Sequence, residues 1–144
     1  MTRIFSTMLA ATALTLGAAA LSAEDGGRKA QTGLWGTEEV PGPGDPDGAG
    51  SFTARLNPGQ RQLCYELSVT GIVPATMAHV HRGETGIAGP VVVALRAPTG
   101  GSSKGCVRLS RALVQELVRY PGRFYVNVHN AAHPAGAVRG QLGD

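Results

Sequence analysis

Hydrophobic and polar positions alternate most clearly toward the C-terminal end of the chain. After Arg123, the residues Phe124, Val126 and Val128 alternate with Tyr125, Asn127 and His129. This period of two marks a strand with one buried and one wetter face, so Val128 is expected to point inward and His129 outward. His133-Pro134-Ala135-Gly136 interrupts the ladder, because proline and glycine stop strand pairing. The alternation then resumes with Val138 and Leu142 on one face and Arg139 and Gln141 on the other. The two runs predict a hairpin that carries a histidine and an arginine on the same side.

The same pattern recurs upstream. Phe52, Ala54 and Leu56 share one face of a run from Ser51 to Leu56, Asn57-Pro58-Gly59 turns the chain, and Leu63, Tyr65, Leu67 and Val69 return on the buried side. Further strands are predicted over Thr76 to His81 and Gly89 to Leu95, separated by the glycine-punctuated loop from Arg82 to Ala88. Gly33 to Val40 alternates weakly, carries the single tryptophan Trp35, and leads into a Pro-Gly loop over Pro41 to Gly48. From Ser110 to Arg119 the spacing changes: Leu113, Val114, Leu117 and Val118 recur with helical period, with Ser110 as N-cap and Pro121-Gly122 as the stop. Six or seven short strands and one helix predict an all-β fold, an antiparallel Greek-key-like sandwich or barrel with one short helix.

The N-terminal end has a different character. Arg3 precedes an apolar run from Ile4 to Leu21 that ends in Leu21-Ser22-Ala23, a pattern that predicts a signal peptide over residues 1–23. A retained membrane anchor is the alternative, although Ser, Thr and Gly make the run a poor membrane helix. Residues 24–32 are polar and are expected to form a flexible N-terminus, leaving 33–144 as a single β domain. Export implies a secreted or periplasmic protein in an oxidising compartment. The two cysteines, Cys64 and Cys106, are then most simply one disulfide, with two free thiols as the alternative. Closing a loop of about 42 residues stabilises by roughly 4 kcal/mol on the chain-entropy account. Cys64 falls opposite Leu63 and Tyr65, and Cys106 out of phase with Val107 and Leu109, so the bond is expected at the sheet surface or edge.

Composition narrows the partners. Hydrophobic content of 42% supports a core, and 21 glycines with 9 prolines suit many turns. The formal net charge is +3, and removal of Arg3 with the signal lowers it by one. Basic residues are scattered, without the run or stripe that nucleic acid or a membrane surface would require. The expected partner is therefore a protein or small ligand of unknown identity, with no nucleic acid and no stable membrane insertion after signal removal.

The candidate chemistry centres on Ala78-His79-Val80-His81. Histidines at i and i+2 of a strand share a face, and if Val80 enters the core both imidazoles stand outside it. His129 follows the same rule behind Val128. Three neutral ring nitrogens on neighbouring strands form a ligand set for Cu or Zn. Equally, such rings can hydrogen-bond to carbonyls of the loops at Arg82 to Ala88 and Asn130 to Gly136. Tyr125 and Asn127 share the face of His129 and are candidates to orient it. Arg139 is either a solvated or carboxylate-paired strand residue or a contact for an anion or partner. His133, before Pro134, reads as loop structure, and Glu38 and Glu39 beside the Pro-Gly loop read as solvated. There is no Gly-x-Ser-x-Gly elbow, no phosphate-binding loop and no spaced carboxylate pair, so no catalytic residue is assigned.

Three blocks in register resemble the CHRD domain, named for chordin. They are Gly36-Thr-Glu-Glu-Val-Pro41, Ala78-His-Val-His81 with Gly86-Ile-Ala-Gly-Pro-Val-Val-Val93, and Tyr125-Val-Asn-Val-His129 with Pro134-Ala-Gly-Ala-Val-Arg-Gly-Gln-Leu142. The resemblance spans about Leu34 to Leu142 and implies an immunoglobulin-like or barrel-like β fold in an exported protein; together with the lack of catalytic groupings it leads to the expectation of a non-catalytic binding module of undetermined ligand. A weaker resemblance to copper-zinc superoxide dismutase lies in His79-Val-His81, Val128-His129 and Ala135-Gly-Ala-Val-Arg139. It implies copper on His79, His81 and His129 and an anion-attracting Arg139. The chain lacks a histidine placed to bridge two metals and a zinc loop with its aspartate, and its disulfide would join different segments. What this second likeness leaves is a mononuclear copper site, dismutase-like or for storage. A third reading is an envelope component that self-associates through its sheet edges.

Overall fold

The structure is a computed structural model that describes residues 27–143; the segments 1–23 and 24–26, including the expected signal peptide, lie outside the described residues. Eight strands follow in order: β1 (Arg28–Trp35), β2 (Ala49–Asn57), β3 (Gln62–Thr70), β4 (Ala75–Arg82), β5 (Val91–Leu95), β6 (Ser102–Arg108), β7 (Phe124–Asn130) and β8 (Val138–Gln141). They form one sheet in the order β5-β4-β7-β8-β1-β2-β3-β6, with antiparallel neighbours throughout. Between β8 and β1 the ladder is thin: Trp35 pairs with Arg139, and Gln31 bridges to Gly143. Two four-stranded halves thus face each other across this seam, and the edge strands β5 and β6 approach to nearly close a barrel. The all-β, antiparallel expectation holds.

Parity places the core. Phe52 and Leu56 of β2, Leu63 and Leu67 of β3, Val80 of β4, and Phe124, Val126 and Val128 of β7 are fully buried in one cluster. Each such side chain contributes roughly 1.5–3 kcal/mol on removal from water. The predicted helix is α1 (Arg111–Arg119), and the Ser110 hydroxyl accepts from the Leu113 N–H at 3.1 Å, as an N-cap should. Its Val114 and Leu117 join the same core. Cys64 and Cys106 face each other in the β3–β6 register and form a disulfide with an S–S distance of 2.05 Å. The bond lies on the outer face beside the edge strand, as the phase of the two cysteines predicts.

Two expectations are corrected, and one strand left without bounds by the sequence is located. Residues 28–32 do not belong to a flexible N-terminus: β1 starts at Arg28 and pairs with β2 from Arg28↔Leu56 to Trp35↔Ala49. Ala30 and Leu34 are its inward side chains, too few and too widely spaced among polar residues to signal a strand by themselves. The sheet segment that carries Cys106 is the polar run Ser102–Arg108, held by its full pairing with β3 and not by hydrophobic alternation. Finally, β7 has no wet face. All seven of its residues are buried, because loops cover the side that carries Tyr125, Asn127 and His129.

Candidate metal centre

Val80 and Val128 are completely buried, so the parity that sets their histidine neighbours on the outer face is correct. On that face β4 presents His79 and His81, β7 presents Tyr125, Asn127 and His129, and β8 presents Arg139 and Gln141. The β4–β7 register sets His79 opposite Asn127 and His81 opposite Tyr125. Diagonal reach then brings the three imidazoles together. His79 Nδ1 lies 3.1 Å from His129 Nε2, and one ligand atom from each of the three rings falls within 4.8 Å of the others.

Loop carbonyls fix two of the rings. His81 Nδ1 is 2.8 Å from the Gly89 carbonyl, and His129 Nδ1 is 3.0 Å from the Pro134 carbonyl. A carbonyl can only accept, so in both rings Nδ1 carries the hydrogen and Nε2 is left with its lone pair. His81 Nε2 is buried and has no partner. Gly89 can come this close because it has no side chain: a Cβ there would strike the Arg82 carbonyl. Hydrogen bonding to loop carbonyls and ligand presentation are thus two halves of one arrangement, since the first sets the tautomer that the second needs.

Burial and mutual proximity favour the neutral form of His79 and His129. His79 is held below the usual imidazole pKa first by loss of solvent and then by the neighbouring His129 and His81. His129 is also lowered, by burial first; the Pro134 hydrogen bond opposes this and His81 adds to it. Neutral rings are the form that binds a metal. Two nitrogens bonded to one tetrahedral ion at about 2.0–2.1 Å lie roughly 3.3 Å apart, close to the His79–His129 separation. The 4.8 Å limit exceeds that spacing by about 1.5 Å, so the third ring would move in by up to that much to complete the shell. The residues therefore fit a single Cu or Zn ion with ligand atoms His79 Nδ1, His81 Nε2 and His129 Nε2.

Behind the histidines lies a stack. β7 runs between β4 and β8, so the ring of Tyr125 has His81 on one side and Arg139 on the other. The His81 and Tyr125 rings are 4.7 Å apart and nearly parallel, and the Arg139 guanidinium carbon sits 3.5 Å from the Tyr125 ring centre. Arg139 is 2% exposed, and its Nη2 donates to the carbonyls of Glu84 (3.2 Å) and Ile87 (2.9 Å). The Tyr125 hydroxyl accepts from Gly89 N–H at 3.1 Å, and Gln141 Nε2 donates to the Gly83 carbonyl at 2.8 Å. His81, Tyr125, Arg139 and Gln141 together clamp the 83–90 loop over the site. The arginine is thus a strut inside this layer, with the tyrosine ring between it and His81.

Tyr125 therefore supports His81, whereas Asn127 turns toward a residue that sequence reasoning set in solvent. Glu39 is 5% exposed, a correction to the solvated reading. It receives a hydrogen bond from the Asn127 side chain, and burial pushes its carboxyl up to about 7 despite the opposing charge of Arg139 and that hydrogen bond. Gly136 has φ +150°, and a Cβ there would collide with the Glu39 carboxylate, so glycine lets the 131–137 loop close over the acid. The loops 39–48 and 131–137 are joined by Asp45 N–H donating to the Ala137 carbonyl at 2.8 Å. His133 Nε2 stands 3.7 Å from Asp45 Oδ2. His133 is in this sense a loop residue, as its place before Pro134 suggests. Glu38 is exposed, as its solvated reading expects, and the signal that could have exposed Glu39 is its place in the block Gly36-Thr-Glu-Glu-Val-Pro41.

No curated protein and no solved structure matches the chain. The sequence profile of the CHRD domain matches residues 30–142, from within β1 to the residue after β8. With that match covering most of its length, the chain belongs to the CHRD domain family.

Proposed function

We propose that this CHRD domain is an exported, non-catalytic binding module whose ligand is a single copper ion held by His79, His81 and His129. The observation that carries the reading is the pairing of two fixed tautomers, at His81 and His129, with three convergent ring nitrogens. Carbonyls at Gly89 and Pro134 hold Nδ1–H of two rings, and ligand atoms of all three rings lie within 4.8 Å. Bound copper would supply either a one-electron couple or a transferable ion. Holding the ion is favoured over turning over an anionic substrate, because Arg139 is enclosed and spends Nη2 on loop carbonyls. The Cys64–Cys106 disulfide suits a non-reducing compartment, consistent with a secreted or periplasmic destination.

The test is metal content of the protein purified from its native compartment. Stoichiometric copper that disappears in a folded His81→Ala variant is the expected result. Protein that arrives metal-free and fails to take up added copper would overturn the reading.

A further inference from the structure

We propose that Met77 supplies a fourth, thioether ligand that makes this centre selective for copper(I). The inference rests on the three-histidine reading above and deepens it.

Met77 precedes His79 by two residues and so shares its face of β4. The β4–β7 ladder pairs Met77 directly with His129. Side chains of such a pair project from the same face with Cβ atoms about 4.5–5.5 Å apart, a gap that the flexible methionine side chain can span.

Met77 owes this position to a bulge. Ala75 pairs with Asn130 and Met77 with His129, so Thr76 is an extra residue in β4. In a regular strand residues 75 and 77 would share a face, and Ala75 is buried in the core. The bulge reverses the phase, turns Met77 outward, and sets Ala78 and Val80 inward behind it. The Thr76 hydroxyl donates to the His129 backbone carbonyl at 3.3 Å, fixing the irregularity to the residue that bears one of the ligands. The same insertion therefore puts three soft or borderline donors, Met77, His79 and His81, in a row.

Access completes the case. The 83–90 loop closes the His81 end of the layer and the 131–137 loop closes the His129 end through their carbonyls. His79 is only half-buried, and Met77 is 47% exposed. Met77 thus stands on the open side of the layer, and its flexible side chain can reach toward an ion entering there. A thioether is a soft donor that favours copper(I), whereas zinc(II) and copper(II) are satisfied by imidazole and harder ligands. Three neutral imidazoles and one thioether give copper(I) a four-coordinate shell.

The experiment is anaerobic competition of metal-free protein against a chromophoric copper(I) chelator, with zinc(II) competition in parallel and X-ray absorption at the copper edge. Wild type, Met77→Leu and His81→Ala are compared. The expected result is a sulfur scatterer on copper in the wild type that is missing in Met77→Leu. Copper(I) affinity in that variant falls by about tenfold or more with zinc(II) affinity unchanged. Unchanged copper(I) affinity in Met77→Leu, or an all-nitrogen shell in the wild type, overturns the role of Met77. If His81→Ala still abolishes binding in that case, the three-histidine site stands without it. Wild-type protein that binds neither metal removes both readings.

Discussion

Replacing Glu39 with glutamine keeps the shape of the side chain and removes its titration from the buried layer. In the folded chain burial raises the carboxyl from 4.5 to about 7. The folded state therefore holds a proton through an interval in which the unfolded chain has already released it. Stability associated with this group is fully present below pH 4.5 and is lost as pH rises toward 7. At 1.36 kcal/mol per pH unit, the interval corresponds to about 3 kcal/mol. His79 and His129 are shifted the other way and destabilise the fold as pH falls, so the wild-type curve alone would mix the effects. The difference between wild type and Glu39→Gln isolates the acid. Urea unfolding of both metal-free proteins from pH 4.5 to 8 should show wild type losing about 3 kcal/mol relative to the variant by pH 7, then running parallel to it. A difference that stays constant, or that grows in favour of wild type with pH, would refute the reasoning. Such a result would mean that Glu39 releases its proton in the fold no later than in the unfolded chain.

Metal binding should persist into mild acid, because His79 and His129 stay neutral below the usual imidazole range. Followed by NMR in the metal-free protein, both of these rings are expected to titrate below 6.5, whereas either one titrating at or above 6.5 would contradict the lowered values. Removing the disulfide with Cys64→Ala and Cys106→Ala together should lower unfolding stability by about 4 kcal/mol by chemical denaturation. The histidine site, which lies in the opposite half of the sheet, should keep its metal affinity in that variant.

The inward half of the fold was legible because period-2 alternation is a local signal. Val80 and Val128 needed no knowledge of the rest of the chain to be placed in the core, and from them the common face of His79, His81 and His129 followed. The same parity put Cys64 and Cys106 on an outer face. What alternation does not encode is whether an outward face is covered. The loops that enclose His81, His129 and Arg139 come from 39–48, 83–90 and 131–137, and their closure depends on contacts between residues far apart in sequence, such as Asp45 with Ala137 and Arg139 with Ile87. Glu39 was misplaced for that reason: its burial is set by Gly136, Asn127 and Arg139, none of them nearby in the chain. The strands at Arg28 and Ser102 were obscured differently, since β1 offers few inward apolar residues and β6 has a polar, glycine-containing sequence stabilised by pairing with β3.

Anomalous diffraction at the copper edge, from crystals of the copper-loaded chain, tests the centre most directly. A single peak within bonding distance of His79 Nδ1, His81 Nε2 and His129 Nε2, with the Gly89 and Pro134 carbonyls still holding the opposite nitrogens, is the result these tautomers require. No peak in that layer, or one bound through Nδ1 of His81 or His129, would contradict them.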